Sequence, residues 1–173
     1  NIVVIYTKPK RLMTVEEYNK SVDLFADGIY RFALKTIKDQ EKAKDIVQDS
    51  YEKLWVKHSD VSYEKVKSYL FTTAYHASID LIRKEKKKDE YESSSMFETS
   101  SNEQYSDIHE VLNRAVEQLP DIQKSVLLLR DYEGYSYEEI GEMTGLNESQ
   151  VKVYIFRARL FLKNYLVSIE NVI

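Results

Sequence analysis

The stretch SYEEIGEMTGLNESQVKVYIFRARLFL, residues 136–162, decides the fold of this chain because it predicts two short helices joined by a tight turn. Ser136 can cap the first helix, and Glu139 lies three residues later, where its side chain completes a capping box. Gly145 supplies a residue that readily adopts the left-handed conformation at a helix end. Together these signals predict a helix-turn-helix.

The second helix of this motif has two distinct faces. Asn147 can cap it, with Gln150 at the reciprocal position. The apolar face is predicted to lie inward and consists of Val151, Ile155, Ala158 and Leu162. The opposite face is predicted to project outward and carries Ser149, Lys152, Val153, Phe156, Arg157 and Lys163. A helix that presents its N-terminal residues and cations in this way suits the DNA major groove.

Composition indicates an all-α protein. Only 4 Gly and 2 Pro occur in 173 residues, and 31% of the residues are charged, which favours long helices over a sheet with many turns. The sequence has no Cys, which excludes disulfides and thiolate zinc sites and is consistent with a reducing cytosol. The apolar run at residues 2–6 is too short to span a bilayer. We therefore expect a cytoplasmic protein without direct membrane contact.

Helical periodicity divides the chain into two small domains. A capping box of Thr14 and Glu17 starts the first long helix, and Met13 before it is a candidate start codon, so residues 1–13 are expected to be a disordered or non-native extension. Further helices are predicted for residues 40–58, 64–88, 107–119 and 120–134, the last ended by Gly134.

Charge is distributed unevenly around a predicted linker. The formal net charge is -4, but the acidity is concentrated between residues 89 and 121, where Arg114 is the only basic residue. Residues 89–106 contain almost no aliphatic side chains and cannot bury a core. We therefore predict an acidic flexible linker that joins helical domains at residues 14–88 and 107–168 and lets them engage distant sites on one partner.

No catalytic or metal site is predicted. His58, His76 and His109 lie on different predicted helices without an HExxH pattern, and no Gly-rich phosphate loop or nucleophile elbow occurs. The sequence thus predicts neither a cofactor nor an enzymatic activity.

Two further helix faces are candidates for binding. On the third helix, Phe71, Tyr75 and His76 are predicted to lie opposite the inward stripe, beside cations, and exposed aromatic rings can stack on unpaired bases. On the second helix, polar and acidic residues share one face: Asp45, Gln48, Asp49 and Glu52. The plain alternatives are that the rings are packing residues and that the charged face is merely solvated.

Three segments taken together resemble the extracytoplasmic-function (ECF) sigma factors of bacterial RNA polymerase. They are DIVQDSYEKLW at residues 45–55, SYLFTTAYHASIDLIRKEKK at residues 68–87 and SYEEIGEMTGLNESQVKVYIFRAR at residues 136–159. The similarity extends from about residue 14 to residue 166. It implies an all-helical protein without catalytic activity, which consists of sigma region two and sigma region four.

The resemblance also implies partners and binding residues. The beta-prime subunit of core RNA polymerase would be bound by Asp45, Gln48, Asp49 and Glu52, and the beta subunit would be a further partner. The melted minus-ten promoter element would be held by the loop at residues 60–64 and by Phe71, Tyr75, His76, Arg83 and Lys84. The minus-thirty-five element would be contacted by Ser149, Gln150, Lys152, Val153, Phe156 and Arg157. The family commonly has Asn where this chain has His76, and it usually pairs with an anti-sigma factor.

Two other functions fit parts of the sequence. An autonomous transcriptional regulator would use the helix-turn-helix to bind operators and the N-terminal helices to sense or dimerise. A helical adaptor would bind only protein. Promoter-specific transcription with core polymerase distinguishes a sigma factor from both.

Overall fold

The computed structural model describes residues 13–91 and 108–170. In these ranges the chain forms α1 (Val15–Ile37), α2 (Gln40–Val56), α3 (Val66–Tyr91), α4 (Ile108–Glu117), α5 (Asp121–Leu127), α6 (Tyr137–Thr144) and α7 (Glu148–Glu170). These ranges contain no strand, so the all-α prediction is confirmed. We call α1–α3 the N-terminal bundle and α4–α7 the C-terminal bundle. The predicted extension at residues 1–12 and the linker from residue 92 onward lie outside the described residues.

Helix ends in the N-terminal bundle follow local hydrogen bonding. Thr14 Oγ1 accepts a hydrogen bond from the Glu17 backbone N–H at 3.1 Å, and the Glu17 carboxylate accepts one from the Thr14 N–H at 2.9 Å, which confirms the predicted capping box. Met13, assigned to the extension by the sequence, is buried. α2 ends at Val56, before the predicted residue 58, and α3 continues to Tyr91, past the predicted residue 88.

The core of the N-terminal bundle lies between its three helices. Ile29, Leu54 and Leu70 are completely buried there, and each such side chain contributes about 1.5–3 kcal/mol to the hydrophobic stabilisation. Helical periodicity predicts Val22 and Trp55 on the apolar faces of α1 and α2, but both lie at the edge of the core: Val22 is 37% exposed and Trp55 is 46% exposed. The Trp55 ring packs edge-on against Tyr18 at a centroid distance of 5.1 Å, so only part of its surface leaves water.

The C-terminal bundle is built around α5. Four consecutive apolar residues, at the junction of α5 with the π-helical turn that follows it, are each no more than 2% exposed: Val126, Leu127, Leu128 and Leu129. α5 is packed against α7 of the same bundle and against α1. A π-helical turn, Leu128–Tyr132, continues α5, and Gly134 follows with φ 79°.

The helix-turn-helix forms as the sequence predicts. The Glu139 N–H donates to Ser136 Oγ at 3.1 Å, and the Ser136 N–H donates to the Glu139 carboxylate at 2.7 Å. Gly145 ends α6 in the left-handed conformation with φ 75°. The Gln150 N–H donates to Asn147 Oδ1 at 2.8 Å, and the Asn147 N–H donates to Gln150 Oε1 at 3.0 Å. All three predicted cap signals are therefore confirmed.

The two bundles pack against each other. α3 contacts α6 and α1 contacts α5, and the buried residues of both bundles form one continuous hydrophobic core. The sequence predicts two helical domains joined by a flexible linker, and in the structure these two domains contact each other. Within the described ranges, no helix combines the length and the apolar character needed to cross a membrane.

Candidate nucleic-acid interface

The outer face of α7 is open to solvent. Its inward residues Val151, Ile155 and Ala158 are at most 1% exposed, as predicted. All residues predicted to project outward are exposed: Ser149, Lys152, Val153, Phe156, Arg157 and Lys163. Gln150, predicted as a cap partner and as a minus-thirty-five candidate, is exposed as well. Phe156 is 66% exposed, which is a large apolar surface to leave in water. Such a surface on a cationic helix is suited to a partner that offers both phosphates and apolar base edges, including the thymine methyl group.

The cations of α7 differ in how far they are already engaged. Arg159 forms a fork with Asp131, with Nε donating to Oδ2 at 3.1 Å, and this hydrogen bonding raises the pKa of Arg159. Arg159 therefore anchors α7 to the π-helical turn. Lys152 Nζ lies 2.5 Å from the Glu148 carboxylate, on the same helix. Arg157 is exposed and forms no ion pair within the described residues, so its donors are available to a ligand.

The acidic face of α2 is also exposed. Asp45, Gln48, Asp49 and Glu52 all lie on the solvent side, as their spacing predicts. Asp49 and Glu52 line a shallow groove with Lys53, Val56 and Lys57. The acidic face presents hydrogen-bond acceptors that complement a basic partner. The groove beside it adds one apolar side chain, Val56, and two lysines.

Two aromatic residues on α3 were predicted to be exposed, and that prediction is wrong. Phe71 is completely buried and Tyr75 is only 4% exposed. The Phe71 ring lies between Phe32 of α1, at a centroid distance of 5.8 Å, and Tyr135 of the C-terminal bundle, at 6.0 Å. The physical reason is that α3 is covered on two sides, whereas its sequence pattern was interpreted as that of a helix covered on one.

The remaining minus-ten candidates are at the surface. His76, Arg83 and Lys84 are exposed, as expected. The His76 ring packs against Tyr75 at a centroid distance of 5.1 Å, so the buried tyrosine holds the exposed histidine in place. Burial raises the pKa of the Tyr75 hydroxyl, which keeps that group neutral at physiological pH.

A groove at the start of α3 lies close to these residues in the chain. It has a volume of about 410 Å³ and is lined by Asp60, Val61, Ser62, Lys65, Ser68, Tyr69 and Thr72. That volume is within the usual range of small-ligand pockets. The sequence interpretation identified the loop at residues 60–64 but missed Lys65, Ser68 and Thr72. The helical spacing of these polar residues along one face was the signal that would have found them.

The shifted pKa values have structural causes. Burial raises the pKa of Tyr51 to about 12 and lowers that of Lys124, and the Ser136 backbone N–H lowers the pKa of Glu139. Within residues 13–91 and 108–170, no group of three or more His, Asp or Glu side chains is placed to hold a metal ion.

Comparison with known proteins identifies both bundles. The Sigma-70 region 2 family model matches residues 22–88, and the Sigma-70, region 4 model matches residues 109–162. The ECF RNA polymerase sigma factor SigM of Bacillus subtilis (strain 168) is 30% identical over 87% of this chain and 94% of its own length. RNA polymerase sigma factor SigV of the same organism is 34% identical over 75% of this chain and 78% of its own length.

Solved structures share the fold. The sigma factor RpoE from Bartonella quintana, crystallised with the anti-sigma factor NepR, aligns with a TM-score of 0.74 at 22% identity and covers 88% of this chain and 98% of that one. CnrH in complex with the cytosolic domain of CnrY aligns with a TM-score of 0.61 at 18% identity and covers 87% and 88%. At such identities the likeness concerns the fold alone.

An acidic helix face, a helix-turn-helix whose second helix has a cationic outer face, and two matching sigma-70 regions define the class of protein as a transcription initiation factor. The chain belongs to the ECF RNA polymerase sigma factors. The N-terminal bundle corresponds to sigma region two and the C-terminal bundle to region four.

Proposed function

We propose that this sigma factor binds core RNA polymerase through the acidic face of α2 and directs it to promoters with two DNA-binding surfaces. In this proposal the beta-prime subunit binds α2, and the beta subunit is a further partner in the core enzyme. The protein supplies recognition and strand separation, and the polymerase supplies all catalysis. The comparisons favour this function over an autonomous regulator and over a protein adaptor.

The observation that carries the proposal is that two chemically opposite helix faces are exposed on the same chain. The acidic face of α2 suits a basic protein surface, and the cationic face of α7 suits nucleic acid. A protein that joins an enzyme to DNA needs both surfaces at once. A regulator that binds only DNA does not require the acidic protein-binding face of α2.

The minus-thirty-five element is assigned to the N-terminal half of α7. Lys152, Phe156 and Arg157 project from one exposed face. Arg157 can donate two hydrogen bonds to a guanine edge, and Val153, 44% exposed, can contact a thymine methyl group. Ser149 and Gln150 at the start of the helix are placed for phosphates or neighbouring bases.

The minus-ten element is assigned to α3 and the groove that precedes it. A flipped base would enter the groove lined by Ser62, Lys65 and Tyr69. His76 would stack on or hydrogen-bond to an adjacent base, and Arg83 and Lys84 would hold the backbone. Base stacking of about 1–3 kcal/mol per base is sufficient to hold a strand that is already unpaired.

Regulation by an anti-sigma factor is the remaining part of the proposal. The structures of the two neighbours described above contain a bound protein, the anti-sigma factor NepR in one case and the cytosolic domain of CnrY in the other. We infer that this chain is held by a comparable partner. Affinity purification of the chain from its host, followed by mass spectrometry, tests this inference.

Run-off transcription on a random promoter library tests the function as a whole. With core polymerase added, the chain is expected to select templates that share two elements, one for each surface. Selection of the same duplex sites without polymerase would instead identify an autonomous regulator. The absence of any selected product with core polymerase from the host would reject the proposal.

The docking face is tested by charge reversal. Asp45→Lys combined with Asp49→Lys places two cations on the acidic face and is expected to abolish co-purification with core polymerase. The matched control is Glu16→Lys with Asp23→Lys, which makes the same charge change at exposed positions of α1. Equal loss in both variants would show an effect of net charge rather than of the α2 face.

A further inference from the structure

We propose that Glu148 is a specificity-determining residue of the exposed N-terminal half of α7 and that, together with Lys152, it reads a cytosine–guanine base pair. This inference rests on the proposed function, because it assigns a further residue to the surface that contacts the minus-thirty-five element. The residues assigned to that surface above are cationic, polar or apolar, and Glu148 adds the opposite charge at the start of the helix.

The first observation is the position of the Glu148 carboxylate. Glu148 lies in the first turn of α7, and its side chain is 54% exposed. Lys152 follows one turn later on the outer face. A recognition helix of a helix-turn-helix contacts base edges with its N-terminal residues. If α7 docks in this way, the carboxylate of Glu148 lies among the side chains that reach the bases.

The second observation is chemical, because a carboxylate has few partners in duplex DNA. Phosphates repel it, and the major-groove edges of guanine and thymine present hydrogen-bond acceptors. The donor that a carboxylate needs is an exocyclic amine, which cytosine supplies at N4 and adenine at N6. Glu148 therefore favours cytosine and adenine and disfavours guanine and thymine at the base that it faces.

Lys152 distinguishes cytosine from adenine through the opposite base of the pair. Its ammonium group lies 2.5 Å from the Glu148 carboxylate, so a donor and an acceptor project side by side. In a cytosine–guanine pair, the cytosine amine donates to the carboxylate, and guanine N7 and O6 accept from the ammonium. In an adenine–thymine pair, thymine offers one acceptor and places an apolar methyl group beside two charges. The cytosine–guanine pair is therefore the better match.

The third observation is that Tyr137 holds the Lys152 ammonium in place. The Tyr137 ring, at the start of α6, has its centroid 5.6 Å from Lys152 Nζ and 4.7 Å from the Arg130 guanidinium carbon. Arg130 in turn donates to the Tyr135 carbonyl at 2.8 Å. A lysine has a long flexible side chain, and contacts with a carboxylate and a ring give its ammonium group a defined direction. Tyr137 is thus a positioning residue for Lys152.

Two other cations of the outer face lack such contacts. Arg157 and Lys163 are exposed and form no ion pair within the described residues. Glu148 pairs instead with Lys152, the outer-face cation nearest the start of α7. The acid is therefore placed where bases are contacted, and the cations further along the helix remain available to guanine or phosphate.

The plain alternative is that Glu148 only stabilises the start of α7, because an acid in the first turn of a helix is favoured by the helix dipole. Glu16 provides the matched control. It lies in the first turn of α1, is exposed, and has Lys20 four residues later, as Glu148 has Lys152. Its helix is not part of the helix-turn-helix.

Selection from a random pool tests the assignment. The full chain is combined with core polymerase and a pool of duplex templates of random sequence, and the retained templates are sequenced. The wild type is expected to enrich cytosine–guanine over adenine–thymine at least about fivefold at one position of the upstream element. Glu148→Gln is expected to enrich adenine–thymine there instead, because an amide side chain pairs with adenine N6 and N7.

Glu148→Ala separates base reading from helix stability. It is expected to lose the preference at that position, whereas total retention of templates stays equal or rises, because a negative charge near the phosphates is removed. Glu16→Gln is expected to select the same bases as the wild type at every position. A role confined to helix stability would lower the melting temperature of Glu148→Gln and Glu16→Gln alike and leave the selected bases unchanged.

Two substitutions test the positioning role of Tyr137. Tyr137→Leu removes the ring and is expected to reduce the preference at the same position about two- to fivefold. Tyr137→Phe keeps the ring and is expected to retain the preference. Melting curves by circular dichroism establish that both variants are folded. Weaker retention of all templates by Tyr137→Leu, with unchanged base preferences, would assign the ring to folding alone.

Failure of this inference is distinguishable from failure of the proposed function. If the wild type selects a shared upstream element and Glu148→Gln selects the same bases at every position, the reading by Glu148 is overturned and the proposed function stands. If the wild type selects no shared element, the proposed function fails, and the reading by Glu148 fails with it.

Discussion

The two candidate DNA-binding surfaces of this sigma factor differ in accessibility rather than in residue type. Each places a phenylalanine near cations on a long helix, but Phe156 on α7 is 66% exposed, whereas Phe71 on α3 is completely buried. Both positions follow the same helical periodicity. The difference arises because the C-terminal bundle packs on α3 and nothing in the described residues packs on the outer face of α7. Accessibility here is therefore a property of the packing between bundles.

The largest expected effect on stability comes from removing the buried Phe71 ring, and removal of the exposed Phe156 ring is the comparison. Phe71→Ala leaves a cavity between Phe32 and Tyr135 and is expected to lower the free energy of unfolding by about 3–5 kcal/mol. Phe156→Ala is expected to change it by no more than about 0.5 kcal/mol and to weaken duplex DNA binding instead. Urea denaturation of both variants, followed by circular dichroism, measures the contrast. Similar losses of stability in both would mean that Phe156 is also covered in solution.

The stability of the N-terminal bundle at alkaline pH depends on the buried hydroxyl of Tyr51. The Tyr51 hydroxyl donates to the Ser21 carbonyl at 2.7 Å, and burial raises its pKa from 10.0 to about 12. Its neutral form is therefore favoured in the folded state. The corresponding stability is fully present below pH 10 and is lost as the pH rises towards 12, by no more than about 2–3 kcal/mol.

The matched variant for this titration is Tyr51→Phe. It is expected to be less stable than the wild type at pH 7, because the Ser21 carbonyl loses its donor, and to lose less stability between pH 10 and 12. Tyr135→Phe also removes a hydroxyl whose pKa is raised by burial, but among the described residues this hydroxyl has no hydrogen-bond partner. Tyr135→Phe is therefore expected to be at least as stable as the wild type at pH 7. Equal stability of Tyr51→Phe and Tyr135→Phe at pH 7 would contradict the claim that only the Tyr51 hydroxyl makes a stabilising hydrogen bond.

Substitution of two cations at different positions along α7 tests its exposed outer face. Arg157→Ala is expected to lower discrimination between promoter sequences by about 1–3 kcal/mol, because a bidentate contact to guanine is lost. Lys163→Ala, one and a half turns further along, is expected to weaken binding uniformly across sequences, as loss of a phosphate contact does. Competition binding on a set of duplexes with single base changes measures both. A uniform loss for Arg157→Ala would reassign that residue to phosphate.

The sequence predicted the local structure better than the contacts between bundles. The caps at Thr14, Ser136 and Asn147 depend on side chains three residues away, so they can be found in a single window of sequence. The burial of Phe71 depends on Tyr135, which is 64 positions further along the chain. No periodicity contains that information, because α3 has the same pattern whether one or two of its sides are covered.

The same reasoning applies to the candidate sites. The exposure of the α2 and α7 faces follows from helical spacing alone, and it was predicted correctly. The pairing of Lys38, Lys67 and Lys86 with acids of the C-terminal bundle was not predicted, because a solvated lysine and one that faces a carboxylate far along the chain look alike in sequence.

The smallest expected effects on stability come from replacing two glycines by alanine, which is expected to destabilise the chain at one position and to stabilise it at the other. A Cβ at Gly141, in α6, would lie 2.8 Å from the Leu146 backbone oxygen, so Gly141→Ala must displace the turn before α7 and is expected to destabilise the chain by about 1 kcal/mol. A Cβ at Gly28, in α1, would lie 3.5 Å from Phe71 Cζ, an ordinary contact, so Gly28→Ala is expected to stabilise by about 0.5–1 kcal/mol. Thermal denaturation measures both. Because a Cβ at Gly28 would also lie 3.8 Å from Glu133 Oε1 of the C-terminal bundle, a destabilising Gly28→Ala would show that the bundles are packed too tightly there to accept one methyl group.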